Sequence, residues 1–428
     1  MGVEFGERLQ LDTSVRRPER IVLLFGLLTG MLGVVLAANE LVKGTELDYQ
    51  AYYFAGRAII EGEPFVGWAI TEGTFLSEKA YVYTPVTAPL FAVYGIFPRW
   101  EIGYVLNVAL LFVVFFQIGR LVIDFTERHG ARLQRVDRLL ILGFCVFSGH
   151  SILGMYRGNV DPIILLALAV GLLAMENGDQ IKGGSLWAIT AHFKLFPAFL
   201  GVWMIYRRAY RAIAAAIVTG LGLLVVGVAL FGIDAHIEFV DFIVNTRSRE
   251  GAFLGGLDPE LQWITLRRPL SQFLPLTGNQ LIVLSTAIIS PFVAVVYWEA
   301  ESDLDVVVAF FATMVAMLIT VVPSTLNYVV YLYFPLLGLI YLTEDPLTKK
   351  LFLAGLVLVN LPLYPQHVEL IVDALPLAAV GDLIVGAARA GMTYASIPLI
   401  GFLLILAGCI RFVRVPDPLA RTPGRERL

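Results

Sequence analysis

A run of twenty residues without a charge, from Ala212 to Phe231, sets the first limit on what this chain can fold into. As an α-helix, a run of about 20 residues rises about 30 Å, the thickness of the hydrocarbon core of a bilayer. Similar runs recur, and hydrophobic residues make up 58% of the 428 residues, whereas charged residues make up only 15%. Soluble domains carry about 25% charged residues. The sequence therefore predicts an all-α polytopic membrane protein, with residues 1–428 forming a single integral membrane domain.

Several kinds of site are disfavoured by the rest of the composition. Cys145 and Cys409 both lie inside apolar runs, which is typical of small buried residues and gives no disulfide framework. No pair of histidines or carboxylates has metal-ligand spacing, and no glycine-rich nucleotide loop appears. We therefore expect no cofactor and no nucleic-acid partner, and the sequence leaves open whether a divalent metal assists.

Charges at the ends of the apolar runs indicate the side of the membrane on which each loop lies. Basic residues favour the cytoplasmic side, so we expect cytoplasmic tails at residues 1–20 and 411–428. A basic loop after the span Ile102–Asp124 is expected on the same side. Two long loops, residues 39–83 and 232–279, are then extracytoplasmic and carry interfacial helices. In total we expect about ten to twelve membrane helices.

Two apolar segments are too short or too polar for simple spans. Pro85–Phe97 would rise only about 20 Å as a helix, so we expect a half-span that returns to the outer side. Ser185–Tyr206 is expected to break at Pro197, with Lys194 beside the break. Broken backbone at membrane depth is tolerated where protein or a wet cavity satisfies it, so Lys194 is a candidate cavity residue. The alternative is a lysine that snorkels from a continuous span.

The stretch Leu47–Phe65 carries the candidate reactive group. Its aromatic residues recur at helical spacing, which predicts an amphipathic helix lying in the interface with its tyrosine rings at headgroup level. Asp48 begins this helix, at the expected water boundary, where a carboxylate can take a proton from a hydroxyl group. The alternative, compatible with the first role, is that Asp48 caps the helix.

Polar residues that are costly in a membrane can be drawn to the same outer end of the bundle. One carboxylate among several cations suits a pocket that holds a phosphate while a base deprotonates an alcohol. Arg157 is a candidate phosphate ligand, or else a partner of Asp161 in an ion pair that closes a turn. Arg267 and Arg268 are candidates for a lipid phosphate or for ordinary anionic headgroups. The candidate substrate-binding residues are Tyr49, Tyr52, Tyr83, Arg157, Asn159, Asp161, Lys194, Gln262, Arg267, Arg268, Asn327 and Tyr328.

Short motifs follow one another in a defined order along the chain. They are an Asp-Tyr pair (Asp48, Tyr49), a Gly-x-Pro turn (Gly62, Pro64), Tyr-Thr-Pro (Tyr83 to Pro85), Gly-Asn-x-Asp (Gly158, Asn159, Asp161), Lys-x-x-Pro (Lys194, Pro197) and Pro-Ser-x-x-Asn-Tyr (Pro323 to Tyr328). In this order they resemble glycosyltransferase family 87, which contains polyprenyl-phosphate-sugar-dependent membrane enzymes of the glycosyltransferase-C superfamily. The resemblance implies a glycosyltransferase-C-like bundle.

The resemblance also implies a reaction. A sugar, with mannose expected first and an arabinofuranosyl or other pentose or hexose as the alternative, is transferred with inversion from a polyprenyl-phosphate donor. The acceptor is a hydroxyl of a lipid-linked or glycan molecule on the extracytoplasmic side of the plasma membrane. Asp48 matches the general base of the family, and Lys194, Arg157 and the Arg267/Arg268 pair match positions that contact the donor phosphate.

One departure and two rival functions accompany this expectation. The family often has a histidine where this chain has Asn327, which can hydrogen-bond a sugar but supports no acid–base role. A transporter or flippase of lipid-linked sugars would instead need ionisable residues at mid-bilayer and paired inverted halves, and neither is evident. A non-catalytic assembly partner would have no need of Asp48, Lys194 and Arg157.

Overall fold

The computed structural model describes residues 17–42, 47–66, 81–246, 250–322, 324–375 and 380–415. These residues are mainly helical, and an isolated bridge joins Val66 to Tyr81. Most of both predicted tails and the middle of the first predicted loop lie outside the described residues, so those predictions remain untested. The α-helices are α1 (Arg17–Val42), α2 (Asp48–Glu61), α3 (Ala92–Gly95), α4 (Trp100–Arg128), α5 (Arg135–Phe147), α6 (Gly149–Arg157), α7 (Asp161–Glu176), α8 (Gln180–Phe193), α9 (Gly201–Tyr206), α10 (Tyr210–Asp241), α11 (Arg267–Phe273), α12 (Gly278–Glu299), α13 (Asp303–Thr320), α14 (Tyr333–Leu342), α15 (Pro346–Val359), α16 (Pro365–Asp373), α17 (Gly381–Tyr394) and α18 (Ile397–Arg414).

Membrane-spanning length is reached by seven helical segments among the described residues: α1, α4, α5 with α6, α10, α12, α13 and α18. The other predicted spans form shorter helices, including α7, α8 and α15. Two further apolar segments, Phe196–Tyr206 and Leu326–Leu342, each begin as a 3₁₀ helix and continue as an α-helix. The prediction of an all-α multi-pass membrane protein is confirmed.

The core of the bundle is centred on α13. Of its residues, 72% are buried, whereas only 6% of the residues in the most apolar part of α10 are buried. Exposed residues of α10 include Val218, Leu221 and Val225, which suit contact with lipid rather than with water. Helix α10 therefore lies at the lipid-facing periphery, and α13 is covered by other helices.

The predicted half-span forms a 3₁₀ helix, Pro85–Phe91, followed by the short helix α3. Two glycines let it approach α2 closely. A Cβ atom on Gly56 would lie 2.1 Å from the carbonyl oxygen of Phe91, and one on Gly95 would lie 2.4 Å from the amide nitrogen of Arg57. Both distances are far shorter than any real Cβ contact, so this helix pairing requires glycine at both positions.

The aromatic face of α2 packs against protein. Tyr49, Tyr52 and Tyr53 are at most 3% exposed, and the Tyr52 ring stacks on Phe91 with centroids 4.6 Å apart. These rings therefore contact protein and not lipid, and their predicted level at the headgroups remains a prediction. An amphipathic pattern shows that one face of a helix is buried, but it does not show what covers that face. Here the segment from Pro85 to Gly95 covers it.

The second irregular segment breaks at Lys194, three residues before the predicted position at Pro197. Helix α8 ends at Phe193, Lys194 has extended backbone angles, and the 3₁₀ helix Phe196–Leu200 follows. Pro197 lies in the first turn of that 3₁₀ helix, where its missing N–H costs no hydrogen bond. The proline thus begins the new helix, and the chain must turn before it.

The chain kinks at Gly232, the predicted first residue of the second loop. Helix α10 continues beyond Phe231 through a kink at Gly232, whose φ of 79° suits glycine, and ends at Asp241. A π-helical turn, Phe242–Thr246, follows, and a 3₁₀ helix covers Glu250–Phe253. The chain returns through α11 to the span α12.

Candidate functional site

The turn between α6 and α7 lies against the first turn of α2. Gly158 ends α6 with φ 68°, and an added Cβ would lie 2.7 Å from the Cβ of Tyr49. Asn107 of α4 donates a hydrogen bond of 3.0 Å from Nδ2 to the carbonyl oxygen of Gly158. Glycine at this position therefore gives the turn its left-handed conformation and its close approach to α2.

A continuous chain of hydrogen bonds links four segments that are remote in sequence. Asn159 donates from Nδ2 to Asp48 Oδ2 at 3.0 Å, and its Oδ1 accepts from the backbone N–H of Asp161 at 3.0 Å. The Asp161 carboxylate accepts from Lys194 Nζ and, at 2.7 Å, from the hydroxyl of Tyr331. Asp48 and Lys194 thus lie in one polar cluster, which we call the Asp48–Lys194 cluster: Asp48, Asn159, Asp161, Lys194, Tyr328 and Tyr331.

Lys194 and Asp161 form a largely buried ion pair within this cluster. Their side chains are 13% and 2% exposed, and the Lys194 ammonium lies 4.2 Å from the centre of the Tyr328 ring. A buried charge needs such a partner because desolvation otherwise costs several kcal/mol. The snorkelling alternative is therefore wrong, and the lysine charge is already neutralised by a carboxylate.

Asp48 differs from Asp161 in its exposure. It is the first residue of α2, is partly exposed, and lies at the positive end of the helix dipole. The N-cap position belongs to Leu47, whose N–H donates to Gln50 Oε1 at 3.1 Å. Asp48 therefore lies one residue inside the helix rather than at the predicted cap.

Two buried tyrosines lie beneath Asp48. The hydroxyls of Tyr52 and Tyr83 are 2.7 Å apart, and the N–H of the neighbouring Thr84 donates to the carbonyl oxygen of His192 at 3.1 Å. Burial, with the nearby charge of Asp48, raises the pKa of Tyr52 well above its usual value. Tyr52 is thus a neutral hydroxyl group. The hydrogen bond of Thr84 fixes the segment after Tyr83 to the end of α8.

Arg157, Gln262 and Tyr49 were also predicted to contact a substrate, and each lies in a different environment. Arg157 is exposed, and the predicted ion pair with Asp161 is not formed because that carboxylate pairs with Lys194 instead. Gln262 is partly exposed. The Tyr49 ring is enclosed, with centroid distances of 5.1 Å to Tyr94 and 5.6 Å to Tyr104. Tyr49 therefore packs the interior next to the cluster.

Arg268 has a structural position. Its guanidinium donates to the backbone oxygens of Asp258 at 3.1 Å, Met392 at 3.3 Å and Trp263 at 3.4 Å, and also to that of Leu261. These bonds join the second loop to helix α17. A guanidinium with so many carbonyl acceptors holds backbone together, and the prediction of a lipid-phosphate contact finds no support at Arg268.

Arg267 is buried in a different way. Its Nε donates to Thr265 Oγ1 at 3.3 Å, and its guanidinium lies 4.5 Å from the centre of the Phe253 ring. Its Nη2 is buried and has no hydrogen-bond partner among the described residues, and the same holds for Oδ1 of the buried Asn327. Burial lowers the pKa of Arg267 to about 10. An unpaired donor of this kind can still bind an anion.

Sequence reasoning missed two residues of the site region, Tyr331 and Asn107. Tyr331 follows Tyr328 by three residues in a 3₁₀ helix, in which side chains at this spacing share a face. The paired spacing was therefore a usable signal. Asn107 offered none, because a single polar residue in the middle of an apolar span is compatible with many partners.

No group of three or more His, Cys, Asp and Glu side chains suited to holding a metal ion occurs in the part of the chain that the structure describes. The absence of a cofactor remains a prediction from the sequence. The chemistry available at the cluster is that of one accessible carboxylate, a paired lysine and several hydroxyl groups.

The family model described as Glycosyltransferase family 87 matches residues 81–325, more than half of the chain. The chain belongs to glycosyltransferase family 87. The segment matched to family 87 contains the turn with Asn159 and Asp161 and also contains Lys194. It begins after Asp48 and ends before Tyr331, so the placement of these two residues in the site rests on geometry.

Curated relatives of this family 87 chain are three proteins named GPI mannosyltransferase 1. The Saccharomyces cerevisiae protein is 22% identical over 168 residues, 39% of this chain and 37% of the relative. The Eremothecium gossypii protein is 22% identical over 189 residues, 43% of each chain. The Dictyostelium discoideum protein is 23% identical over 188 residues, 43% of this chain and 39% of the relative. The aligned part thus spans about two fifths of the length of these relatives.

Proposed function

We propose that this family 87 protein is a membrane mannosyltransferase. It moves the sugar from a polyprenyl-phosphate donor to a hydroxyl group of a lipid-linked or glycan acceptor, with inversion at the anomeric carbon and with Asp48 as general base. The family and the names of the three relatives support a mannosyl transfer. The multi-pass fold supports a donor that is itself held in the membrane.

The observation that carries this proposal is the contrast between the two carboxylates of the Asp48–Lys194 cluster. Asp161 is 2% exposed and paired with Lys194, whereas Asp48 is partly exposed. A general base must come within hydrogen-bond reach of the proton that it removes. The partial exposure of Asp48 supports access by an acceptor hydroxyl, whereas Asp161 is enclosed.

The proposed step is a single displacement. Asp48 takes the proton of the acceptor hydroxyl, and the acceptor oxygen forms a bond to the anomeric carbon from the face opposite the phosphate. The bond between that carbon and the phosphate oxygen breaks, and polyprenyl phosphate leaves with the electron pair. Because phosphate is a good leaving group, no protonated acid is required.

The departing phosphate needs positive charge or N–H donors around it. Of the four basic residues predicted for this role, Lys194 is neutralised by Asp161 and Arg268 is committed to backbone oxygens. Arg267 and Arg268 each retain one buried N–H group without a partner among the described residues, but only Arg267 keeps a terminal Nη group free of backbone oxygens, and Arg157 is exposed. We therefore assign the donor phosphate to Arg267 and Arg157 in this proposal.

The position of the site along α4 supports one side of the membrane for the reaction. Asn107 contacts Gly158 next to the cluster, whereas Arg128 ends the same helix. The intervening residues rise roughly 30 Å, about one hydrocarbon thickness. Arg128 leads into a basic connection that includes Arg132 and continues to Arg138 in the first turn of α5, which the positive-inside rule assigns to the cytoplasm. This supports an extracytoplasmic site in the plasma membrane.

Asp48→Asn tests the proposal. The purified variant in nanodiscs, given labelled polyprenyl-phosphate mannose and a lipid acceptor, should lose transfer by roughly 10²-fold or more, the contribution expected of a general base. Glu61→Gln is the matched control, because Glu61 lies on the same helix in an exposed pair with Arg57. Undiminished transfer by Asp48→Asn would remove the mechanism. Movement of the donor across the bilayer without a covalent product would favour a flippase.

A further inference from the structure

Asn159 has both of its polar side-chain atoms in use. Nδ2 donates to Asp48 Oδ2, and Oδ1 accepts from the N–H of Asp161, each at 3.0 Å. The residue is 9% exposed. In this position the amide is committed to the Asp48 carboxylate and to the turn, a role different from the substrate contact that the sequence predicts.

We infer that Asn159 is a positioning residue that orients the carboxylate of Asp48 toward the acceptor. The inference rests on the proposed role of Asp48 as general base. A hydrogen bond to Oδ2 restricts the rotation of the carboxylate and so holds it in one orientation at the start of α2. Asn159 therefore acts on the reaction through Asp48 and makes no contact with either substrate.

The turn that carries Asn159 is held from several directions. Its Oδ1 closes a local bond to the N–H two residues later, which fixes the side chain relative to its own backbone. Asn107 holds the carbonyl of Gly158 on one side, and the carboxylate of Asp161 is bound by Lys194 and Tyr331 on the other. A donor needs such rigid support if it is to hold a base within a few tenths of an ångström.

Asn159→Ser and Asn159→Asp separate positioning from support of the turn. A serine hydroxyl or an aspartate carboxylate can accept the bond from the N–H of Asp161, so both variants keep the turn. Neither offers the amide donor to Asp48, and aspartate adds a like charge beside it. A hydrogen bond to a charged group is worth about tenfold to a hundredfold in rate.

The expected result is a kcat lowered about tenfold to a hundredfold for Asn159→Ser and further for Asn159→Asp, with the KM of donor and acceptor within about twofold of wild type. The melting temperature of Asn159→Ser should stay close to that of the wild type, whereas Asn159→Asp should lower it because a second carboxylate is buried beside Asp48. If Asn159 only supported the turn, Asn159→Asp would instead have the higher kcat of the two variants, because aspartate is closer in shape to asparagine than serine is.

The outcomes distinguish failure of this inference from failure of the proposed function. If Asp48→Asn is inactive while Asn159→Asp keeps the wild-type kcat, only the inference is overturned. A raised KM with unchanged kcat also overturns it, because Asn159 would then contact a substrate. If Asp48→Asn remains fully active, both the general-base role and the positioning role are overturned.

Discussion

At the scale of single residues, the site distinguishes two carboxylates by their environment. Asp161 accepts hydrogen bonds from Lys194 and Tyr331 and is almost fully buried, so it serves to hold the cluster together. Asp48 is partly exposed and accepts a hydrogen bond from Asn159. An aspartate can thus stabilise the fold at one position and take part in the proposed reaction at another, a pattern common in active sites.

Lys194→Met tests whether the lysine is structural. The change leaves the Asp161 carboxylate buried beside an apolar side chain, so we expect the free energy of unfolding to fall by about 3–5 kcal/mol. The double variant Lys194→Met/Asp161→Asn removes both charges and should recover most of that loss. Thermal unfolding in detergent measures both effects, with the exposed Lys182→Met as control.

The contrary result for this pair is equally specific. If Lys194 binds the donor phosphate directly, Lys194→Met would raise the KM of the donor and leave the unfolding temperature near that of the wild type. In that case the ion pair with Asp161 would open when the donor binds.

At the scale of elements, the close packing of α2 on the half-span fixes the direction of the Asp48 helix. Gly56→Ala places a Cβ 2.1 Å from the carbonyl oxygen of Phe91, so one of the two backbones must move. Overpacking of this kind costs about 1–3 kcal/mol, and we expect lower unfolding temperature and lower transfer activity together. Gly222→Ala, in an open position of α10, should be neutral or stabilising. Unchanged activity in Gly56→Ala would show that the tilt of α2 is unimportant.

The sequence predicted element types better than it predicted their partners. The length of apolar runs specified α4, α10 and α12, because only a span of that length satisfies its backbone in lipid. Amphipathicity indicated that one face of α2 is buried, but it could not distinguish a cover of lipid from a cover of protein.

Which charged side chains form ion pairs within the site could likewise not be predicted from the sequence. Arg157, four residues from Asp161, was the partner that local spacing suggested for this carboxylate. The structure instead pairs Asp161 with Lys194, because the break before Pro197 brings Lys194 to the turn. Such choices depend on tertiary packing, which no local pattern contains.

At the scale of the whole molecule, the site and the basic loop lie at opposite ends of α4. A cysteine introduced near either end can be labelled selectively, because the native cysteines, Cys145 and Cys409, are fully buried. A single cysteine introduced at an exposed position is therefore the one expected to react with an impermeant thiol reagent. Glu63, just after α2, and Arg135, at the start of α5, are both exposed.

Labelling from outside intact cells gives the final prediction. Glu63→Cys should react with an impermeant maleimide in intact cells, whereas Arg135→Cys should react only after the membrane is opened, because the positive-inside rule assigns its loop to the cytoplasm. Wild-type protein should stay unlabelled in both conditions, since buried thiols are inert. The reverse pattern would place the Asp48–Lys194 cluster on the cytoplasmic side, and the donor would then have to be reached from that leaflet.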